Sequence, residues 1–255
     1  MAKTVLITGA GTGIGRGIAL EFARSGYDVA LHYNGSAQGA GEAAEQIRAL
    51  GRQCLMVQAD LAHLDSLRAM FRQVEERFGA LDVYVNNAGL TLKSRIEDMT
   101  EQDFDLLCAV DFRACFFGLQ EAERAMKARG GSIVLIASNH AFMQHPLCAA
   151  YAAVKTAMLK LCRSAAMEMG RYGIRVNALA PGWTDTGAAR LGRPEDSYYH
   201  IPLRRWCTAQ EVAQAALFLC GEWAGSITGA VLTMDGGASL QTDPLSRYGY
   251  DMKEE

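Results

Sequence analysis

The stretch KTVLITGAGTGIG, Lys3 to Gly15, carries an apolar run straight into a turn that holds four glycines. Residues 3–8 read as a buried strand, and an apolar period of 3.6 residues sets in over 14–26, so the glycines join a strand to a helix. Glycine lets the backbone turn sharply and come close to a ligand, while the first amides of the following helix face a phosphate. The pattern is T-G-x-x-x-G-x-G, on Gly9, Gly13 and Gly15, with Thr12 and Ile14 flanking Gly13. It is not G-x-G-x-x-G, whose third glycine would fall on Ile14 or Arg16. Alone, such a turn is a weak sign, because any tight strand-to-helix corner uses glycine.

The rest of the chain gives the turn its meaning. Further strand candidates are 28–33, 53–58, 82–86, 132–138, 175–180 and 230–235, and helical periods run over 38–51, 64–78, 101–129, 149–172 and 208–220. Strict alternation implies parallel strands joined by crossover helices, and nearly unbroken apolar strands fit a sheet covered on both faces. The expected fold is α/β: a single-domain Rossmann-type doubly wound parallel sheet of about seven strands with helices on both faces. It covers 1–238 and leaves a tail, 239–255. At the head of such a sheet the glycine turn becomes a candidate dinucleotide-binding loop.

Composition narrows the class. Half of the 255 residues are apolar, enough for one sizeable core. A formal net charge of −3, with both signs interspersed and no polybasic run, points away from nucleic acid. The N-terminal apolar run is too short for a signal-peptide core, and no stretch approaches the ~18 apolar residues that span a bilayer. The seven cysteines are odd in number and show no C-x-x-C pair. They read as reduced thiols acting as small hydrophobes in a cytoplasmic setting, and no metal site is expected.

YAAVK, residues 151–155, places a phenol and an amine on one helical face, since positions i and i+4 are neighbours. An ammonium ~4 Å from a phenol, at an effective dielectric of ~20, favours the phenolate by about 4 kcal/mol, or up to ~3 pK units. Tyr151 would then exchange a proton near neutral pH. Ser138 ends the strand candidate IVLIAS, at the edge where open α/β sheets bind ligands. Its hydroxyl can orient a reacting oxygen. Either feature alone is commonly structural; together, behind a glycine loop, they form a candidate catalytic group.

Over residues 3 to about 238 the sequence resembles the short-chain dehydrogenase/reductase family. The matching segments, in order and spacing, are TGAGTGIG (8–15), NNAG (86–89), Ser138, YAAVK, Pro181-Gly182 and ITGAVLTMDGG (227–237). The resemblance implies an oxidoreductase whose nicotinamide cofactor carries the hydride, while Tyr151, with Ser138 and Lys155, handles the proton. It also implies that Asp60 and Leu61 flank the adenine, and that Asn87, with Ala88 and Gly89, lies beside the cofactor ribose. Thr184 and Thr186, just after Pro181 and Gly182, would reach the carboxamide and phosphates. One position departs from the family pattern: Asp111 stands where an asparagine is usual. By resemblance that residue bends its helix and holds a water in the proton relay from Lys155. An aspartate can hold the same water, but its charge can also pair with Lys155 and soften that lysine's effect.

NAD-preferring members of the family end the second strand with a carboxylate; Tyr33 stands there instead. That favours NADP and leaves NAD open, because the basic residues that welcome a 2′-phosphate are replaced by Thr12 and Asn34. Asn34 and Ser36 can donate to the phosphate, and Arg16 is near. For the substrate, the loop SNHAFMQHP (138–146) and a lid over about 183–206 supply Asn139, His140, Gln144, His145, Trp183, Arg190 and Arg193, with Lys93 and Arg95 after NNAG. Such a polar lining suits a sugar or polyol better than a long acyl chain. Ser138-Asn139-His140 also resembles the Ser-x-His of sugar 1-dehydrogenases in this family. The alternatives are a 3-oxoacyl thioester or general carbonyl reductase, and a non-catalytic cofactor-binding sensor. The histidines and arginines read equally as solvated loop residues. The Ala- and Met-rich helix 149–172, with the family's habit, implies a homotetramer. The tail reads either as a loose end or as anchored by Tyr248 and Tyr250 on a neighbouring subunit.

Overall fold

The computed structural model describes residues 2–187 and 201–240. Arg190, Arg193, Tyr248, Tyr250, most of the tail and the middle of the expected lid lie outside the described residues. Among the described residues nine strands form: β1 (Thr4–Ile7), β2 (Asp28–Tyr33), β3 (Cys54–Gln58), β4 (Val83–Asn86), β5 (Gly131–Ile136), β6 (Ile174–Pro181), β7 (Thr184–Asp185), β8 (Cys207–Thr208) and β9 (Val231–Met234). Seven of them make one parallel sheet in the order β3-β2-β1-β4-β5-β6-β9. The helices between them are α1 (Gly13–Arg24), α2 (Ala37–Ala49), α3 (Leu64–Phe78), α4 (Glu101–Leu107), α5 (Ala114–Met126), α6 (Ala149–Met169) and α7 (Ala209–Cys220).

Alternate residues of each strand enter opposite cores, as the pleat requires. Leu6, Ala30, Tyr84, Ile133 and Leu135 pack under α3, α5 and α6, whereas Val5, Ile7, Val29, Val85 and Val134 pack under α1, α2 and α7. Burial on both faces explains why the strands carry no polar alternation. From β1 the chain winds outward to β2 and β3, then returns to β4 on the other side of β1. The carboxyl ends of β1 and β4 therefore diverge into a crevice, the usual ligand position in such sheets. Thr8 pins its base: its Oγ1 accepts from the Asn87 and Ala88 amides at 2.9 and 3.0 Å.

Two features depart from the sequence expectation. The helix expected over 101–129 is interrupted at Cys108–Arg113 by a π-helical turn between α4 and α5. Its apolar spacing resembles that of a continuous helix, but the wider turn carries Asp111 into the interior, fully buried. The short parallel pair β7–β8 was also not anticipated, since two residues per strand leave no periodicity to read. All seven cysteines are free thiols. Burial pushes Cys115, Cys162 and Cys220 up to about 12, which makes them inert packing groups. Among the described residues no helix is long and apolar enough to cross a membrane.

Candidate active site

A cleft of about 570 Å³ opens over the diverging strand ends. Gly9 and Gly13 take the left-handed region, with φ +64° and +56°, where a side chain would be strained. A β-carbon on Gly15 would collide with the Gly9 carbonyl oxygen. The loop is thus compressed against the start of α1. Thr12 does not cap that helix with its side chain, and no acidic residue lies in its first turn. The first amides of α1 keep their donor capacity and positive dipole for an anion, which fits a pyrophosphate.

Most of the expected cofactor residues meet here. Gly9, Thr12, Gly13, Ile14 and Gly15 line the cleft together with Asn34, Ser36, Asp60, Leu61, Asn87, Ala88, Gly89 and Thr186. Asn87 is turned inward, its amide donating to the Thr8 and Gly9 carbonyls at 2.9 and 3.1 Å, so it braces the loop. Tyr33 does not line the cleft; it packs, partly buried, against the core that includes residues of α1 and α2. Pro181, Gly182 and Thr184 sit at the end of β6 outside the walls of this cleft, where Thr184 Oγ1 donates to the Gly182 carbonyl at 3.0 Å. His32, Leu106 and Val110 also line the cleft and were missed. The two apolar residues come from α4 and the π turn, which no sequence period reveals.

Tyr151 lies in the first turn of α6, and Lys155 Nζ stands 5.5 Å from the centre of its ring. Lys155 is 4% exposed; its ammonium reaches Asp111 Oδ2 at 3.0 Å and the Ile136 carbonyl at 3.4 Å. Asp111 Oδ1 accepts from the Leu90 amide at 2.7 Å. A β-carbon on Gly89 would come within 2.7 Å of Asp111 Oδ2 and 3.2 Å of Lys155 Nζ, so the last residue of NNAG makes room for this pair. Burial pushes the ammonium down, but Asp111, with help from Tyr151, outweighs it and holds Lys155 above its ordinary value. The cation persists, but a counter-charge opposes its pull on the phenol. Replacing Asp111 with Asn should therefore move the acid limb of the oxidation pH–rate profile down by about one unit and raise turnover on that limb by on the order of tenfold. An unchanged rate and profile would reduce Asp111 to a packing partner.

Ser138, 7% exposed, follows β5, and its Oγ accepts from the His140 amide at 3.2 Å. A hydroxyl that accepts can still donate, so its proton remains for a reacting oxygen. Asn139 is withdrawn from the pocket: its amide donates toward Asp235 Oδ2 at 3.4 Å and Met143 Sδ at 3.2 Å, which makes it a brace for the turn. Arg95 pairs with Glu97 at 3.3 Å and lines a separate groove, and Gln144 is exposed at the loop tip. His140 and Trp183 do converge on the site. The His140 ring meets Tyr151 edge-on at 5.5 Å, stacks on His145 at 5.2 Å, and His145 in turn meets Trp183 at 6.1 Å. His140 Nδ1 is buried and has no hydrogen-bond partner among the described residues. Burial pushes His140 below its ordinary value, and His145 and Lys93 add to this, so the ring is neutral at neutral pH.

The family model for enoyl-(acyl carrier protein) reductases matches residues 9–239. The chain belongs to the short-chain dehydrogenase/reductase family. As a member it is an NAD(P)-dependent oxidoreductase. It is 37% identical over 243 residues to a 3-oxoacyl-[acyl-carrier-protein] reductase of Staphylococcus aureus, covering 93% of this chain and 98% of that relative. It is 36% identical over 245 residues to an L-rhamnose 1-dehydrogenase (NAD(P)(+)) of Azotobacter vinelandii, covering 92% and 96%. Among solved structures, a short-chain dehydrogenase of Burkholderia cenocepacia in complex with NADP superposes with a TM-score of 0.88 at 36% identity, over 92% of this chain and 97% of that one.

Proposed function

We propose that this dehydrogenase oxidises a hydroxyl of a sugar or polyol to a lactone or ketone, with Tyr151 as general acid/base. The observation that carries this reading is the His140 ring, which meets Tyr151 edge-on at 5.5 Å and stacks on His145 at 5.2 Å. A neutral imidazole has one donor and one acceptor, and a vicinal hydroxyl satisfies either. The cleft of Gly9, Gly13, Gly15 and Asn87 would hold the nicotinamide cofactor, which when bound would supply the hydride acceptor. Ser138 Oγ holds the hydroxyl oxygen by donating to it, Tyr151 Oη takes the hydroxyl proton, and Lys155 stabilises the charge on the phenol before that transfer. Reduction runs the same proton back.

The lining by Asn34 and Ser36, with no carboxylate at the end of β2, supports NADP over NAD. The NADP-bound relative agrees with this preference. The proposal includes a cytoplasmic homotetramer. Phe112, Phe116 and, on α6, Met167 are exposed and would be covered by other copies; a monomer in sedimentation equilibrium would refute that part. A second reading, reduction of a 3-oxoacyl thioester, is favoured by a groove of about 500 Å³ whose Ile96, Met99, Phe104, Ala149 and Ala150 suit an acyl chain. The intact Ser138, Tyr151 and Lys155 weigh against a non-catalytic sensor.

A panel of aldoses, polyols and 3-oxoacyl thioesters, followed by nicotinamide absorbance with NADP and with NAD, separates these readings. We expect turnover of a sugar or polyol, with the higher kcat/KM for NADP. His140→Ala should raise the substrate KM roughly fivefold to tenfold with a smaller change in kcat. Thioester reduction that is faster and indifferent to His140→Ala would replace the sugar reading, and a strong preference for NAD would overturn the cofactor assignment.

A further inference from the structure

We infer that His32 is a positioning residue of the dinucleotide site, a neutral imidazole that ties the glycine loop to the chain segment carrying Asp60 and Leu61. The inference rests on the cleft being the NAD(P) site. His32 lies in β2, is 2% exposed and contributes to the cleft wall. The Gly9 amide donates to its Nδ1 at 3.0 Å, and its Nε2 lies 3.0 Å from the Ala59 carbonyl. An amide nitrogen only donates and a carbonyl only accepts, so Nδ1 is bare and Nε2 carries the proton. One tautomer satisfies both partners.

The ring extends the sheet's hydrogen bonding past the point where the flanking strands stop. β2 lies between β3 and β1. The backbone makes its last rungs there, Ala10 N to the His32 carbonyl at 2.8 Å and Ala59 N to the Tyr33 carbonyl at 3.1 Å. The imidazole adds one more on each side. Gly9 is the residue at which the loop turns, and Asn87 already holds its carbonyl. His32 holds the amide of the same residue, so the two side chains fix both backbone polar groups of the turn residue.

Its surroundings favour the neutral ring. β1, β3 and the glycine loop up to Gly15 bring no charged side chain. The segment after β3 brings Asp60, whose Oδ1 accepts from the Ala62 amide at 3.0 Å and whose Oδ2 lies 3.7 Å from His63. α1 and α2 bring Arg16 and Glu42, paired with each other at 3.0 Å. None of these bonds is made to the imidazole, and burial pushes it below the ordinary histidine value, opposed by its bond to the Ala59 carbonyl. Protonation would set an Nδ1–H against the Gly9 amide, two donors facing each other, and release the turn.

The test is NADPH and NADH binding by cofactor fluorescence, on the full chain and on His32→Phe, which keeps a ring and removes both hydrogen bonds. At pH 7.5 we expect the variant to bind about tenfold more weakly. That gap should narrow only once the ring is protonated, at a pH below the ordinary histidine value, because the parent then loses the same bond while the variant has none to lose. Should the variant fold poorly, ring ¹⁵N chemical shifts of the parent decide: a bare Nδ1 and protonated Nε2 at pH 7 support the inference, and a charged ring or the opposite tautomer overturns it. Equal affinities of parent and folded variant would also overturn it. A parent that binds neither cofactor would instead sink the reading of the cleft, and this inference with it.

Discussion

Replacing Tyr151 with phenylalanine lowers kcat by about 10²–10⁴-fold, the usual contribution of a positioned acid or base, and leaves cofactor affinity close to that of the parent. The substitution is conservative for packing. The ring keeps its edge contact with His140 and its place over the Lys155 ammonium, each at 5.5 Å, and loses only the hydroxyl. The glycine loop and the walls of the cleft make no use of that hydroxyl. Steady-state rates beside a fluorescence titration of NADPH check both halves of the expectation. A variant that retains its turnover would show that the proton leaves by another group, and the roles given to Ser138 and Lys155 would go with it. Unaltered chemistry with weakened cofactor binding would place Tyr151 in the cleft wall instead.

Replacing Lys155 with methionine destabilises the fold by about 3–5 kcal/mol, the cost of leaving a buried charge without its partner. Asp111 is fully buried and its Oδ2 has Lys155 as its ion-pair partner at 3.0 Å. Urea denaturation should show the loss as a lower midpoint at unchanged slope. The double variant Lys155→Met/Asp111→Leu should recover most of it, although the Leu90 amide then loses its acceptor. The pH dependence has a definite sign. Lys155 is held above its ordinary value, so the pair's contribution is complete below the unfolded lysine value and is lost only as the pH rises through the folded one. Across the neutral range the gap between parent and double variant should therefore stay constant, and it should shrink in strong alkali. A single variant with the parent's midpoint would mean that the carboxylate is neutralised or hydrated in the fold.

Legibility followed the physics of each signal. Strand and helix order was readable because burial on two faces of a sheet writes unbroken apolar runs, and the glycine loop because left-handed turns exclude side chains. Tyr151 and Lys155 were readable together since one helical turn fixes their separation. What escaped depended on contacts between distant segments. The π turn keeps the apolar spacing of a continuous helix, so the inward rotation of Asp111 could be foreseen only through the family pattern. Asn139 looked like a ligand-facing loop residue, whereas Asp235, nearly a hundred positions on, draws its amide away. His32 sat in an apolar strand with nothing to distinguish it until Gly9 and Ala59 were placed at its two nitrogens. Tyr33 stands at a strand end where relatives carry a carboxylate, and its packing against the core depends on helices remote in sequence.

The small parallel pair β7–β8 has a consequence for how this enzyme can diversify. Thr184 and Asp185 lie beside Cys207 and Thr208, and the Cys207 amide also donates to the Trp183 carbonyl at 3.0 Å. Both feet of the intervening stretch are thereby anchored next to each other, the far one also by the Thr208–Glu211 capping box at the start of α7. Ends fixed in this way make the stretch cheap to lengthen, since each doubling of a loop adds only about 0.6 kcal/mol of closure entropy. A stretch held at both ends can vary in length while the sheet beneath is left untouched.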